Sequence, residues 1–283
     1  MASILYISRC RLILLVLLLS ILTSCTRDVV HSKIPAAIRG KLDLTAWDFE
    51  SEGPVPLNGE WAFYWNRHLK PTDFAQMPSP KPTGLIVVPG VWNGYEVAGQ
   101  PISGAGYATY RLQIRLGYLR ERLAFKFLDM ATAFAVYVNG QPLFSSGMPG
   151  QTRQTTKPRF APQVIDFHPP AEHLDIVIRV SNFHHRKGGV WEAIYLGSAN
   201  DVHAMREGSL LVNLLLFGSI AIIGLYHLSL FALRPGDQSP LFFGLYCLIM
   251  GLRMLTTGER FVMQLVPGLH WEILIKASYV VSA

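Results

Sequence analysis

Four long apolar runs most constrain how this chain can fold. The first lies within the leader, two more span 208–233 and 241–257, and another begins at 269. Between the first and second runs lies a long polar stretch that is rich in aromatic residues and alternates like β-strands. Apolar runs of this length need a bilayer, whereas the polar stretch needs water. The layout therefore predicts an exported domain joined to a bundle of membrane helices.

The composition agrees with a membrane component. Only 16% of the residues are charged and 50% are hydrophobic, whereas about a quarter of a typical soluble protein is charged. The net charge is +6, but the basic residues are scattered and are interrupted by acids such as Glu121 and Asp129. Because nucleic-acid-binding surfaces concentrate their basic residues on one face, we expect no nucleic-acid partner.

Residues 1–25 have the pattern of a secretory signal peptide. Arg9 and Arg11 precede a short apolar core that ends at Leu22, and this order of charge and apolar core is typical of such leaders. The segment Leu22-Thr-Ser-Cys25 resembles a bacterial lipobox, which implies cleavage before Cys25 and lipidation of its thiol. The alternative is an ordinary cleaved leader with an incidental cysteine. Residues 26–54 are predicted to form a linker.

Residues 55–205 carry the alternation of half-buried β-strands. In 107–116, apolar side chains alternate with polar ones over the whole segment. The same period recurs in three further segments: 123–127, 134–138 and 174–180. Asn139-Gly140 separates two apolar stretches and predicts a tight hairpin, since both residues tolerate positive φ. We therefore expect an all-β sandwich with a jelly-roll topology.

Five short motifs occur in one order along this domain: 56–65 (PLNGEWAFYW), 88–92 (VPGVW), 106–111 (GYATYR), 137–140 (YVNG) and 180–182 (VSN). Together they resemble the galactose-binding-like jelly roll that serves as an extracellular sensor module in bacterial membrane receptors. They also resemble the sugar-binding domain that precedes the barrel in family 2 glycoside hydrolases. The resemblance implies a binding fold but no particular ligand, because one fold serves many functions.

Candidate ligand-binding residues lie in two predicted loops. Trp92, Asn93 and Tyr95 follow a Pro-Gly pair, where exposed aromatic residues can contact a ligand. The loop 182–189 and the residues just after it offer imidazoles, cations and an indole: His184, His185, Arg186, Lys187 and Trp191. This chemistry suits an anionic or sugar ligand, and the alternative is a solvated surface loop. Adjacent histidines on a strand point to opposite sides, so no metal site is expected.

The domain is predicted to be a binding module without catalytic residues or a cofactor. A glycosidase needs two carboxylates flanking the scissile bond. No paired arrangement follows from the spacing of the acids considered, which are isolated along the sequence: Glu60, Glu96, Asp129 and Glu192. The cysteines at 10, 25 and 247 all lie outside the domain, which therefore holds no thiol nucleophile.

The run after the β domain carries no charge and can cross about 30 Å of hydrocarbon with some tilt. A turn at Arg234 leads to the second span, 241–257, and 269–283 begins a third. Arg253 is expected to reach the membrane interface or to pair with Glu259. If the β domain is exported, the first helix runs inward, which puts Arg234 in the cytoplasm as the positive-inside rule favours.

Short motifs follow one another through the spans: Tyr226-His-Leu, Leu233-Arg234, Leu245-Tyr246, Leu252-Arg253 and Gly258. With the jelly roll before them, they resemble the bacterial seven-transmembrane receptors with diverse intracellular signalling modules. The resemblance covers about residues 55–283. It implies seven helices that join an outer sensor to a cytoplasmic cyclase, histidine kinase or diguanylate cyclase. Two complete spans and part of a third occur here, so the chain is expected to be a fragment without its effector.

Three functions are compatible with these patterns. The first is the sensory input portion of a multi-pass receptor of the inner membrane. Its β domain would lie outside the cytoplasm and bind a carbohydrate or other small ligand, and its partner would be a cytoplasmic signalling module. The second is the sugar-binding accessory domain of a membrane-anchored glycoside hydrolase. The third is a lipidated structural protein without a ligand.

Overall fold

A computed structural model describes residues 34–117, 121–266, 268 and 270–280. The predictions for the signal peptide and for lipidation of Cys25 lie outside these described residues. A β domain comes first and helices follow. Its strands β1 to β16 are, in chain order, Lys41–Leu44, Val55–Pro56, Gly59–Trp65, Gly84–Val88, Gly90–Val91, Glu96–Val97, Gln100–Pro101, Gly106–Leu116, Leu123–Phe127, Met130–Ala131, Ala133–Val138, Gln141–Ser146, Gln163–Phe167, His173–Asn182, Gly189–Val190 and Tyr195–Ser198.

The helices are short within the β domain and long after it. Helix α1 is a single turn and a 3-10 turn follows β3: Phe49–Glu52 and Pro71–Ala75. Helices α2 to α5 follow β16: Ala199–Leu233, Ser239–Thr256, Val262–Leu265 and Trp271–Val280. Of these, α2 and α3 are long and apolar enough to cross a membrane, judged by length and composition.

Two sheets form the sandwich. The larger has the order β12-β11-β14-β8-β3-β4, with β1 running parallel to β8, and the smaller has the order β13-β9-β16-β2. The core lies between them and takes apolar side chains from both, including Trp61 and Tyr110 from the larger sheet and Phe125 and Leu196 from the smaller. The predicted fold class, an all-β jelly-roll sandwich followed by transmembrane helices, is confirmed.

Strand β8 shows why the alternation was informative. One of its faces is fully buried in the core: Ala108, Tyr110, Leu112, Ile114 and Leu116. On the other face Gln113 and Arg115 are exposed, as expected for a strand with one solvated side. The predicted hairpin joins β11 to β12 through Asn139 and Gly140, at φ values of 47° and 86°. Both values are positive, as a two-residue turn that matches the strand twist requires.

The β domain begins earlier than predicted. The predicted linker 26–54 is wrong in its second half, because residues 41–44 form β1 and pair with β8. Leu42 and Leu44 of this strand and Phe49 of α1 are buried in the core. Two apolar positions are too few to reveal a strand by alternation. Its pairing with β8, which is distant in sequence, stabilises it instead.

Helix α2 also begins earlier than the predicted span 208–233. Ser198 caps it, since its hydroxyl accepts the N–H of Asp201 at 3.2 Å. The first turns contact the smaller sheet, where Ala199 and Val202 pack with Ala124. The helix therefore starts on the β domain and continues into its apolar run without a break. The β domain correspondingly ends at 198, before the predicted boundary at 205.

Helices α2 and α3 form a closely packed hairpin. A Cβ added at Gly244 would lie 3.0 Å from the carbonyl oxygen of Gly224 and 2.9 Å from Leu228. Small residues at such a crossing let two helix backbones approach, as is common in membranes. Because the hairpin reverses direction at 234–238, the segment after α3 returns to the end of α2 that joins the β domain.

Candidate functional site

The segment that follows α3 is tied to the β domain by two buried ion pairs. Glu259 and Arg260 are 6% and 8% exposed. Lys126 of β9 pairs with Glu259. Asp129, just after β9, accepts a hydrogen bond of 2.6 Å from Nε of Arg260. We call Lys126–Glu259 and Asp129–Arg260 the junction pairs.

Strand β9 is buried on both faces, which explains why a lysine within it needs a partner. Phe125 and Phe127 fill the sandwich core, whereas Lys126 points to the opposite face. A buried ammonium is costly unless it is paired, and Glu259 supplies the charge. Arg206 of α2 lies 3.9 Å from the same carboxylate. One carboxylate thus connects the smaller sheet, α2 and the segment after α3.

Of the two alternatives expected for Arg253, the pairing with Glu259 is wrong. Among the described residues, the ion pairs of Glu259 are those with Lys126 and Arg206. Arg253 instead accepts hydrogen bonds on its backbone carbonyl from the hydroxyls of Thr256 and Thr257, each at 3.0 Å. The chain turns at the end of α3, so Glu259 faces the sheet and not the helix that precedes it.

The guanidinium of Arg260 is held on three sides. Besides Asp129, it donates to the carbonyl oxygen of Thr256 at 2.7 Å, which satisfies an orphan carbonyl at the end of α3. Its central carbon lies 4.5 Å from the ring centroid of Phe160, within the range of a cation–π contact. Burial raises the pKa of Asp129, and the charge of Arg260 opposes that shift.

A cleft of about 780 Å³ opens next to this arrangement, between the β domain and the start of α5. We call it the junction cleft. The β domain contributes one wall: Ser145, Gly147, Met148, Arg153, Thr156, Lys157, Pro158, Arg159, Phe160 and His184. The segment after α3 and helix α5 contribute the other: Met263, Gly268, His270, Trp271, Glu272 and Leu274. The cleft therefore has walls from both parts of the chain.

Aromatic rings meet in the junction cleft. The ring of Trp271 lies 5.9 Å from Phe160 and 6.1 Å from His184, both edge-on. Nε1 of Trp271 and Nδ1 of His184 are buried and have no hydrogen-bond partner among the described residues. Burial lowers the pKa of His184, the nearby Arg153 lowers it further, and Glu272 opposes both effects. The imidazole is thus favoured in its neutral form.

A second cleft, of about 360 Å³, gathers most of the predicted binding loop. It is lined by Gly90, Val91, His185, Arg186, Lys187 and Trp191, and we call it the loop cleft. The rings of His185 and Trp191 lie 4.7 Å apart. Burial lowers the pKa of His185, although its hydrogen bond with the Lys187 backbone raises it. His184 lines the junction cleft instead, so the two adjacent histidines face different clefts.

Asn182 gives the loop its shape. Its buried amide group donates to the carbonyl oxygens of Gly104, His185 and Lys187 at 2.7, 2.7 and 3.1 Å. Its own oxygen accepts the N–H of His185 at 3.1 Å. A single side chain thereby closes the loop on itself and fastens it to a neighbouring segment.

Asn93 and Tyr95, also predicted to bind a ligand, contact the protein itself. Asn93 accepts the N–H of Gly188 at 3.0 Å and donates to the carbonyl oxygen of Arg186 at 2.9 Å. Tyr95 is half-buried, and its ring lies 5.2 Å from that of Phe63 in the core. Asn93 therefore holds the loop and Tyr95 packs on the core, and a role of either residue in ligand contact stays a prediction.

The expected exposure of Trp92 is wrong. The indole is 0% exposed, and its Nε1 donates to the carbonyl oxygen of Gly104 at 3.1 Å. A Cβ added at Gly188 would lie 2.2 Å from the indole, so only a glycine lets the loop pass over it. The Pro-Gly pair indicated a turn, but the tertiary contact with Gly188 buries the side chain beyond it.

Sequence reasoning missed the junction pairs and, apart from His184, the residues that line the junction cleft. One signal was present: Lys126 is the charged residue of strand β9, in which the residues on either side of it are all buried. Another was Glu259-Arg260, a charged pair directly after an apolar span. Neither signal identifies its partner, because the pairs join segments that are far apart in the chain. Within the described ranges, no three histidine, cysteine or acidic side chains come together to hold a metal ion.

Residues 209–283 match the family model described as 7TM diverse intracellular signalling. The predicted family is confirmed over these residues. The match begins within α2 at residue 209 and covers the rest of that helix, α3 and the segment that carries Glu259 and Arg260. Together with the two apolar helices, it supports a membrane location and a sensory role there.

Half of the chain is similar to parts of solved glycosidases. A β-glucuronidase of Ruminococcus gnavus has 14% identity and a TM-score of 0.37, over 50% of this chain and 28% of the enzyme. A GH2 β-galacturonidase of Eisenbergiella tayi bound to galacturonate has 15% identity and a TM-score of 0.36, over 51% of this chain and 24% of the enzyme. Likenesses this distant do not bear on function. No curated protein sequence matches the chain.

Proposed function

We propose that this chain is the sensory input portion of a bacterial receptor of the inner membrane. The β domain lies outside the cytoplasm and binds a carbohydrate or other small ligand. Helices α2 and α3 cross the membrane, and the turn at Arg234 faces the cytoplasm, where positive residues are favoured. The bundle passes the signal to a cytoplasmic module, which is the partner that reads it.

The junction pairs are the observation that carries this proposal. They join β9 and the residue Asp129 just after it to the residues that follow a span, so relative movement of the two parts would have to break or exchange these pairs. A buried pair that loses one partner leaves an uncompensated charge, which costs about 3–5 kcal/mol. The two parts can therefore move at low cost only if each buried charge finds a new partner. A conformational change between two such paired states is what a two-state relay needs.

Two clefts of ligand size support the binding part of the proposal. Their volumes of about 780 and 360 Å³ lie within the range of about 300–1,000 Å³ that small-molecule sites occupy. A ligand biases the bundle only if it binds one arrangement more tightly than the other. A site that touches the segment after α3 meets that condition directly.

The test uses the full chain in lipid nanodiscs and an array of neutral and acidic saccharides. We expect saturable binding of at least one saccharide. We also expect that binding changes the amide hydrogen exchange of 257–265 as well as that of the β domain. An array without any binder would contradict the carbohydrate form of the proposal, and the same measurement with small organic acids would then test the other form. Binding that leaves 257–265 unchanged would favour the accessory domain of a glycoside hydrolase, since such a domain has no signal to relay.

A variant and its control test whether the exchange response depends on the junction pairs. The double variant E259Q/R260Q breaks both junction pairs. Measured below its lowered unfolding temperature and at saturating saccharide, it should lose the exchange response in 257–265 while the β domain still responds to the saccharide. The matched control is R122Q, which alters the Arg122–Asp166 pair of the same domain, with 3.3 Å between the charges and Arg122 54% exposed. R122Q should keep both binding and response.

A further inference from the structure

We propose that the junction cleft is the ligand site and that its ligand is a small organic anion carrying a ring. This inference rests on the proposed function and names the site and the class of ligand that it takes.

The charge of the junction cleft selects an anion. Arg153, Lys157 and Arg159 line it, and none of them forms a salt bridge with a described residue. The one acid on its wall, Glu272, lies 3.6 Å from Lys276. Cations of one sign around a concave surface attract a counter-charge, and guanidinium groups bind carboxylates in a bidentate manner.

The rings of the cleft select a ligand with a flat or apolar face. Trp271 and His184 stand edge-on to each other, and Phe160 lies beneath at 2% exposure. Buried polar atoms in proteins almost always have a partner. Nε1 of Trp271 and Nδ1 of His184 lack one within the described part of the chain. A ring with acceptor or hydroxyl groups at its edge could pack against the aromatic side chains and also form hydrogen bonds with these two nitrogen atoms.

Position distinguishes the junction cleft from the loop cleft. Every residue of the loop cleft belongs to the β domain, so a ligand there contacts one part of the chain. The junction cleft has Trp271 on one wall and Arg153 on the other. Its floor, Phe160, lies against Arg260, which pairs with Asp129. A ligand between these walls acts directly on the relay.

Two sources could supply such an anion: acidic saccharides and aromatic carboxylates. The test therefore measures binding to the full chain in nanodiscs, using short uronic-acid oligomers with their neutral counterparts and benzoates with the matching benzyl alcohols. We expect one acidic series to bind about 10-fold more tightly than its neutral series, as for one charge-assisted contact. Equal binding of acidic and neutral probes, or binding of neither, overturns the inference.

Matched substitutions locate the site. R153Q/R159Q should weaken binding of the acidic probe about 10-fold, whereas R186Q/K187Q, with the same loss of charge in the loop cleft, should change it less than about 2-fold. Trp271→Leu and Trp191→Leu form a second matched pair with the same expected contrast. Equal thermal midpoints of the variants would show that the fold is intact.

The reversed pattern, with loss only in the loop-cleft variants, overturns this inference. The proposed function would still stand if binding there changed the exchange of 257–265. Conversely, binding at the junction cleft without that exchange response would refute the relay and leave the site in place.

Discussion

Asp129 and Arg260 are 131 positions apart in the chain, yet Nε of Arg260 lies 2.6 Å from Oδ2 of Asp129. One residue follows a strand of the sandwich, and the other follows a helix that is long enough to cross a membrane. Their side chains are only 12% and 9% exposed. The β domain is therefore joined to the helices by buried charge as well as by the covalent link into α2.

Replacing Arg260 by Gln should destabilise the protein by about 3–5 kcal/mol, because Asp129 is left buried without a counter-charge. Urea unfolding in detergent micelles, followed by tryptophan fluorescence, measures this loss. The control R122Q should cost less than about 1 kcal/mol, since Arg122 is half-exposed. Equal losses of unfolding free energy in the two variants would show that the Asp129–Arg260 pair stabilises the protein no more than an exposed ion pair does.

Gly244→Ala should separate α2 from α3. The new methyl group would lie 2.9 Å from Leu228 and 3.0 Å from the Gly224 carbonyl oxygen, and such overpacking costs about 1–3 kcal/mol. The matched control is Gly218→Ala in α2, where nothing lies within 4 Å of the added Cβ. Thermal unfolding followed by helical circular dichroism should show a lower midpoint for the first variant alone. A similar midpoint for both would argue against close contact of the two helices.

The stability of the β domain should fall as the pH drops from 6.5 towards 4. His68 is partly buried, and this burial together with the charge of Arg179 lowers its pKa from 6.5 to about 4. The unfolded chain then binds a proton in this window that the folded chain does not, so acid favours unfolding. His68→Gln removes the proton site and should flatten the profile between pH 7 and pH 5. If urea unfolding showed the same pH dependence of the unfolding free energy in His68→Gln as in the unsubstituted protein, the lowered pKa of His68 would be contradicted.

Cysteine labelling should show that the turn after α2 and the β domain lie on opposite sides of the membrane. In a background without the native cysteines, Gln154→Cys on the exposed 151–155 segment should react with an impermeant maleimide in intact spheroplasts. Asp237→Cys should react only after lysis, because the turn is expected in the cytoplasm. Labelling of Asp237→Cys in intact spheroplasts would reverse the proposed topology.

Mass spectrometry of the mature protein should find an N-terminus at Cys25 that carries a diacylglycerol group, if the lipobox resemblance holds. Cys25→Ser should abolish the modification and leave the unmodified precursor, since the thiol is the attachment point. A mature N-terminus at another position, without lipid, would support an ordinary signal peptide.

Local periodicity was enough to predict the longer core strands and the two apolar spans, although not the short strand β1. In β8, side chains alternate between core and solvent, and the two-residue period of a strand carries that information in a short segment. The runs in α2 and α3 are long and apolar enough to cross a bilayer, and length and composition can be read from the sequence directly. Asn139-Gly140 predicted its hairpin because a turn depends on neighbouring residues alone.

The apolar runs and the alternating strands between them therefore determined the class of protein, a sandwich followed by membrane helices. Only the tertiary structure decided which residues join the sandwich to the helices and which side chains become buried. Lys126 is a strand residue with a solvated face in the sequence pattern, and it becomes buried because Glu259 returns to it after two helices. Trp92 follows a turn and becomes core because Gly188 passes over it. Burial and pairing depend on which distant segments meet, and that information is not carried by the spacing of neighbouring residues.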